Sequence, residues 1–271
     1  MSFGSEALDL AAQRLGQPPQ ARFDAGRSQR DSVPLESHAE LSRDPGRADP
    51  LAILSGQDAS RVPELIPLRY GRMSRSPFTF LRGAAEVMAS DLAAGPATGL
   101  GVELCGDAHL GNFRWFRAPD RQLVFDLNDF DETLPGPFEW DLKRLAASIT
   151  VAGRHNGLSK SKCRTATRTA AQQYRQFIAE ASELNPLDLH YYRIEPKQVF
   201  ESVQQHGTKQ RKWKEEILAK ARRKDSMRAL KKLTEVVDGR RVIVPDPPRI
   251  VRIDEKLAEG DEGTLEALFE R

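Results

Sequence analysis

Apolar positions are spread unevenly along the 271 residues. From residue 1 to about 60 they are scattered among Arg, Asp, Ser, Gly, Pro and Gln without a sustained period. This reads as a flexible polar leader with room for one short helix near Glu6–Leu15. Order is expected from about Val62. Ser76-Pro77 supplies an N-cap and a first-turn proline. Phe80, Leu81, Ala84, Val87, Met88 and Leu92 then recur at helical spacing until Gly95-Pro96 ends the run. A strand is expected at 101–105, followed by the loop 106–112. A hairpin follows, with strands near 113–116 and 123–127 and a turn at Ala118-Pro119-Asp120. An acidic loop over 128–137 leads to a helix over 138–154, where Leu142, Leu145, Ala146 and Ile149 form an apolar stripe. Ser159 caps a further helix reaching about Leu184.

Past Asn185-Pro186 the pattern changes. Residues 209–232 hold eleven Lys and Arg against three acids, with Trp213, Ile217, Leu218, Ala221, Leu230 and Leu233 able to line one helix side. A strand is expected at 241–244. Three regions result: a leader over 1–60, an ordered core over 61–185, and a helical basic extension over 186–271.

Composition narrows the function classes. The chain has 41 basic and 39 acidic residues, a net charge of +2, which argues against a nucleic-acid-coating protein. Cys105 and Cys163 are the two cysteines, too few for a disulfide framework, and no apolar run approaches a membrane span. The expected setting is cytoplasmic. Cys105, Asp107 and His109 lie too close together on one loop to make a tetrahedral zinc site.

The chemistry concentrates in Cys105-Gly106-Asp107-Ala108-His109-Leu110-Gly111-Asn112, followed by Phe125-Asp126-Leu127-Asn128-Asp129-Phe130-Asp131-Glu132. The first segment contains Asp-x-x-x-x-Asn, the spacing of kinase catalytic loops. There the Asp orients or deprotonates an attacking hydroxyl, and the Asn, one loop turn later, offers its amide oxygen to a divalent ion. Base and ion must meet at one phosphate, so a short loop carries both. The second segment is an apolar strand running into an acidic turn. It is a source of hard oxygen ligands for Mg²⁺, with Asp126, Asp129 and Asp131 as candidates. Asp126 and Asp129 would face opposite ways on an extended strand.

Gly106-Asp107 through Asn112 resembles the catalytic loop of aminoglycoside and choline kinases, with Cys105 at the position of their His. Asp141-Leu142 resembles the Asp-Leu that closes their motif set, which implies that Asp141 anchors the catalytic-loop backbone. Spacing back from Asp141 favours Asp129 as the Mg²⁺ ligand, while spacing forward from Asn112 slightly favours Asp126. A closer resemblance is to the bacterial family called domain of unknown function 2252. It rests on Arg72-Met73, Ser76-Pro77-Phe78, Leu81-Arg82-Gly83, the stretches 105–113 and 128–132, and 136–144.

These resemblances imply an α+β fold. It would be a protein-kinase-like large lobe, mostly helical, with a small β-hairpin carrying the metal turn. The implied activity is ATP- and Mg²⁺-dependent phosphoryl transfer to a hydroxyl on a small molecule or protein. Asp107 would be the base, Asn112 and Asp129 the metal ligands and Asp131 an auxiliary ligand. Read from the residues themselves, His109 is a loop-structuring group or a phosphate contact, and Arg82 or Arg72 could bind the nucleotide phosphates in place of a lysine or be surface or helix-anchoring arginines. A phosphoester hydrolase using the same carboxylates and a catalytically silent binding module are the rival readings. No lysine precedes Lys143, and no glycine-rich phosphate cover is visible. The nucleotide-binding small lobe is therefore expected to be absent and the C-terminal extension truncated. Large-lobe surface left open in this way would favour self-association.

Overall fold

The computed structural model describes residues 17–40, 46–203 and 226–252. The expected helix near Glu6–Leu15 and most of the basic stretch over 209–232 lie outside these residues. The fold is α+β. Contacts divide the chain into two compact units. The larger takes the chain up to Arg61, Leu68–Trp115 and Phe125–Ile194, and the smaller takes Val62–Pro67, Phe116–Val124 and Glu195–Arg271. Among the described residues no helix is long and apolar enough to cross a membrane.

Within its described residues the leader carries helices where its composition suggests a flexible arm. It contains helix α1 (Pro19–Ser32) and helix α2 (Pro50–Asp58), the latter capped by the Asp49 side chain, which accepts from Leu51 N. Leu54 of α2 is 1% exposed and packs with Met73, Ala84 and Val87 in the main apolar cluster, flanked by Ile53 and Tyr70. Leu51, Ala52, Ile53 and Leu54 form one short run with no helical period, and it takes the partner surface to make Leu54 core. Met73 comes from α3 (Ile66–Met73), while Ala84 and Val87 come from around α5 (Ala85–Ala93).

The single helix expected across 77–92 is two helices. α4 (Pro77–Arg82) begins in a capping box: Ser76 Oγ accepts from Thr79 N, and Thr79 Oγ1 accepts from Ser76 N. The chain then breaks at Gly83, where a Cβ would stand 2.7 Å from the Met73 side chain, and resumes as α5.

β1 (Gly101–Leu104) pairs antiparallel with β4 (Leu134–Pro137), Leu104 opposite Leu134. The acidic loop was expected to run on to 137, so β4 is a correction: its two prolines and glycine disguise it as a turn. Gly136 is needed there, because a Cβ would meet Leu104 Cδ1 at 2.7 Å. β2 (Phe113–Arg117) and β3 (Leu123–Leu127) pair as expected. Phe125 packs on Trp115 at 4.9 Å between ring centroids.

Helix α6 (Glu139–His155) is the strut behind β1 and the loop that follows it. Its buried positions are Glu139, Arg144, Ser148, Ala152 and Gly153. The expected stripe of Leu142, Leu145, Ala146 and Ile149 is only half-buried. The helix spends its covered face on polar groups because the neighbouring loop presents backbone donors and a carboxylate that need partners. Its far end crosses α7 (Lys160–Ala181), which Ser159 caps as expected. At the crossing Thr150 and Thr167 share a 2.8 Å hydrogen bond, and Gly153 leaves room for Cys163 Sγ, 2.8 Å from where a Cβ would be.

The smaller unit contains α8 (Pro196–Val203) and α9 (Ser226–Leu233), the latter followed by an antiparallel hairpin of β5 (Thr234–Val237) and β6 (Arg240–Ile243). The expected strand at 241–244 is therefore one arm of a hairpin. Its partner β5 follows the basic helix with no break in the sequence pattern.

Candidate active site

Strand β1 ends at Leu104, and the chain turns through Gly106 with φ +81°. A Cβ at this position would lie 1.8 Å from the Glu132 carbonyl oxygen, so only glycine lets the loop pass the acidic turn. Asp141, near the start of α6, accepts from Cys105 N at 2.7 Å and from Gly106 N at 3.1 Å. The carboxylate is half-buried, and burial raises its pKa above the ordinary Asp range, against the lowering effect of the two backbone donors. The resemblance implied that Asp141 anchors the catalytic-loop backbone, and the donors it holds are Cys105 and Gly106.

The next turn brings Asp107, His109 and Asn112 inward; they are 8%, 2% and 2% exposed. Arg144, 3% exposed, places both Nε (2.8 Å) and Nη2 (2.6 Å) on Asp107 Oδ1. His109 Nε2 faces the other oxygen, Oδ2, at 3.5 Å, while Nδ1 accepts from Gly111 N at 2.9 Å. That accepted bond fixes the tautomer with hydrogen on Nε2. Burial lowers the His109 pKa, helped by the charges of Arg144 and Arg82 and opposed by Asp107, so the ring is neutral. Of the two roles expected of His109, loop-structuring group or phosphate contact, the geometry favours the first: the ring is buried, Nδ1 takes a loop N–H and Nε2 faces Asp107.

Asn112 Nδ2 donates to the Asp107 carbonyl at 3.0 Å. With the nitrogen committed, the amide oxygen is the atom left for a cation. Leu110 N donates to Ser148 Oγ at 2.8 Å, and Ser148, 0% exposed, donates in turn to Leu145 O. α6 therefore holds the loop at three points: Asp141, Arg144 and Ser148.

The acidic turn is stitched to this loop at two places. Asn128 N donates to Asn112 O at 3.2 Å, and Cys105 Sγ lies 3.4 Å from Asp129 O. Cys105 thus donates to the acidic turn's backbone from the position where the resembled kinases carry His. Burial and the charges of Asp141, Asp107 and Asp129 push its thiol pKa up to about 11. Thr133 Oγ1 closes the turn on Leu104 O at 2.7 Å.

Strand β3 stops at Leu127, so Asp129 lies past its end. Asp126 lies within the strand, exposed, its Oδ1 accepting from Leu127 N. Asp131 and Phe130 are exposed. Glu132 senses the charges of Asp107, Asp129 and Asp131, and burial and those charges raise its pKa against the opposing effect of Arg61. The contacts of Asn128 with Asn112, of Cys105 with the Asp129 carbonyl, and of Gly106 with the Glu132 carbonyl bring the loop and the turn to one locality. Arg82 is exposed beside the loop, its Nε 3.6 Å from where a Gly111 Cβ would stand. Arg72 is also exposed, in the last turn of α3.

Sequence reading did not single out Arg144, Ser148 or Glu132. Arg144 and Ser148 lie one and two helical turns past Asp141, on the same side of α6. That spacing is the one signal that could have found them.

Among the described residues no group of three His, Cys, Asp or Glu side chains is arranged to hold a metal. Mg²⁺ asks for less: one or two carboxylates completed by water and phosphate oxygens. The donor set of Asn112 Oδ1, Asp129 and Asp131 is all hard oxygen, which suits that ion and not a thiolate- or imidazole-seeking one.

Residues 61–270 match the family described as "Uncharacterized protein conserved in bacteria (DUF2252)". The chain belongs to that family. No curated protein and no solved structure gives a significant match.

Proposed function

We propose that the loop over 105–112 and the turn over 128–132 form a phosphotransferase centre on a kinase-like large lobe. It would transfer a phosphoryl group from ATP to a hydroxyl acceptor in the cytoplasm. The observation that carries this reading is the Asn112 amide. Its nitrogen is fixed on the carbonyl of Asp107 within an Asp-x-x-x-x-Asn loop whose start is anchored by Asp141. This leaves an amide oxygen and a carboxylate on one short rigid segment, as in-line phosphoryl transfer requires.

In this reading Asp107 Oδ2 orients the acceptor hydroxyl and takes its proton, since Oδ1 is held by Arg144. Asn112 and Asp129 would hold Mg²⁺, with Asp131 as an auxiliary ligand, and Arg82 would meet the phosphates. When bound, the ion supplies neutralisation of phosphate charge. Cys105 keeps the turn in register through the Asp129 carbonyl. Without an upstream lysine, the phosphates lack half of the usual positive clamp. Turnover by this chain is expected far below ~1 s⁻¹.

The burial of Asp107 and its ion pair with Arg144 favour a second reading, a silent binding module in which the pair is structural. Calorimetry with Mg-ATP on the folded chain separates the two. Binding that needs Mg²⁺ and is lost in Asp129→Ala supports the phosphotransferase reading. A folded sample that binds no Mg-ATP supports the silent module. Phosphate released from phosphoesters without ATP would point to a hydrolase.

A further inference from the structure

Arg144 is 3% exposed and makes contacts with three segments. Its Nε and Nη2 converge on Asp107 Oδ1 at 2.8 and 2.6 Å, Nη2 also donates to the Leu81 carbonyl at 2.5 Å, and Nη1 lies 3.7 Å from Met88 Sδ of α5. Leu81 is followed directly by Arg82, the last residue of α4, whose guanidinium lies against Gly111. No ligand could reach Arg144 at this burial. Yet it touches both the candidate base and the helix end bearing the candidate phosphate contact.

We propose that Arg144 is a positioning residue that sets both groups at once: the Asp107 carboxylate and, through the Leu81 carbonyl, Arg82. The proposal rests on the phosphotransferase reading. Its physical basis is the planar guanidinium fork. One rigid group donates in two directions, to a carboxylate oxygen and to a carbonyl oxygen, so the distance between them is fixed by covalent geometry. Holding Oδ1 leaves Oδ2, which His109 Nε2 faces at 3.5 Å, as the oxygen for an acceptor hydroxyl. Lysine keeps the charge but has a single ammonium on a flexible stem, and it cannot hold both acceptors in this geometry.

The test has two readouts on the full chain: wild type, Arg144→Lys, Arg82→Ala and the double variant, with melting temperatures recorded for each. The first is acylation of His109 by diethyl pyrocarbonate, followed by mass spectrometry. In the wild type the His109 ring is 2% exposed, with Nδ1 accepting from Gly111 N and Nε2 facing the carboxylate that Arg144 holds, so the ring should be protected. In Arg144→Lys it should react at least about tenfold faster. The second is Mg-ATP affinity by calorimetry. Arg144→Lys should weaken it about tenfold, as should Arg82→Ala, and the double variant should lose no more than either alone, because both changes remove the same contact. A purely structural Arg144 would give additive losses.

The proposal is overturned if wild-type His109 acylates readily, if a folded Arg144→Lys leaves both readouts unchanged, or if the losses add. If the wild type binds no Mg-ATP, the phosphotransferase reading fails, and the acylation rates alone still decide whether Arg144 positions the loop. Arg144→Gln, which keeps one side-chain amide donor group, takes the place of Arg144→Lys if the latter does not fold.

Discussion

Between Leu104 and Asn112 the chain makes as many hydrogen bonds to residues more than thirty positions away as it makes to itself. Cys105 and Gly106 donate to Asp141, Asp107 accepts from Arg144, and Leu110 donates to Ser148. The hairpin of β5 and β6 is held the opposite way. Its register pairs Thr234 with Ile243 through Val237 with Arg240, across a turn at Asp238-Gly239, and Val236, Val237 and Ile243 are 60%, 42% and 53% exposed. One region commits buried polar side chains to fixing a loop that could not hold its shape alone. The other is a local ladder that leaves its apolar side chains in water. A loop that carries chemistry needs its backbone donors satisfied from outside, because it has no ladder of its own.

Substitutions sharpen that contrast. Arg144→Met should be the most damaging, costing about 4 kcal/mol in a urea titration, because it leaves the Asp107 carboxylate buried without its partner. Asp141→Ala should cost about 3 kcal/mol by stranding the Cys105 and Gly106 donors, and a melting temperature equal to wild type would refute the anchor.

The thiol of Cys105 gives a chemical measure of the same enclosure. Its pKa of about 11 against an ordinary value of 9.0 implies roughly a hundredfold less thiolate at pH 8. Alkylation of Cys105 should be slow in the folded chain and should accelerate on unfolding, with a rate that climbs through about pH 11. The folded chain keeps this proton where the unfolded chain has lost it. Stability should therefore fall as pH rises from 9.0 to about 11.

Ser148→Ala should cost about 1.5 kcal/mol, since it removes the acceptor for Leu110 N at a site with no water access. Val236→Thr on the exposed hairpin should shift stability by less than about 0.5 kcal/mol. A hairpin effect as large as that of Ser148 would erase the contrast between the two regions.

Much of this was legible before any coordinates. The helix start at Ser76-Pro77, the strand before Gly106, the pairing of the strands around 113–127 and the Ser159 cap follow from local chemistry: a hydroxyl cap, a proline with no N–H to lose, an alternating apolar run. The loop spacing from Asp107 to Asn112 and the placing of Asp129 beyond its strand were also in the linear order. Other features depended on what each segment meets in space. Leu54 became core because α5 and Met73 cover it. The break at Gly83 reflects the Met73 side chain lying where a Cβ would go. β4 became a strand because β1 supplied its ladder.

His109 shows the limit most clearly. A histidine in a candidate catalytic loop reads as a loop-structuring group or as a phosphate contact. The fold favours the first: it buries the ring, turns Nδ1 to Gly111 N and sets Nε2 towards Asp107. Arg144 shows the converse, a helix cation with no marked signal in sequence that tertiary packing sets against the Asp107 carboxylate. The sequence by itself determined the residue types available for chemistry and their order, because caps, turns and periodicity act over a few residues. Which polar groups were buried together, and so which can act, was decided by the tertiary structure. A buried charge survives only with a partner brought to it across the fold.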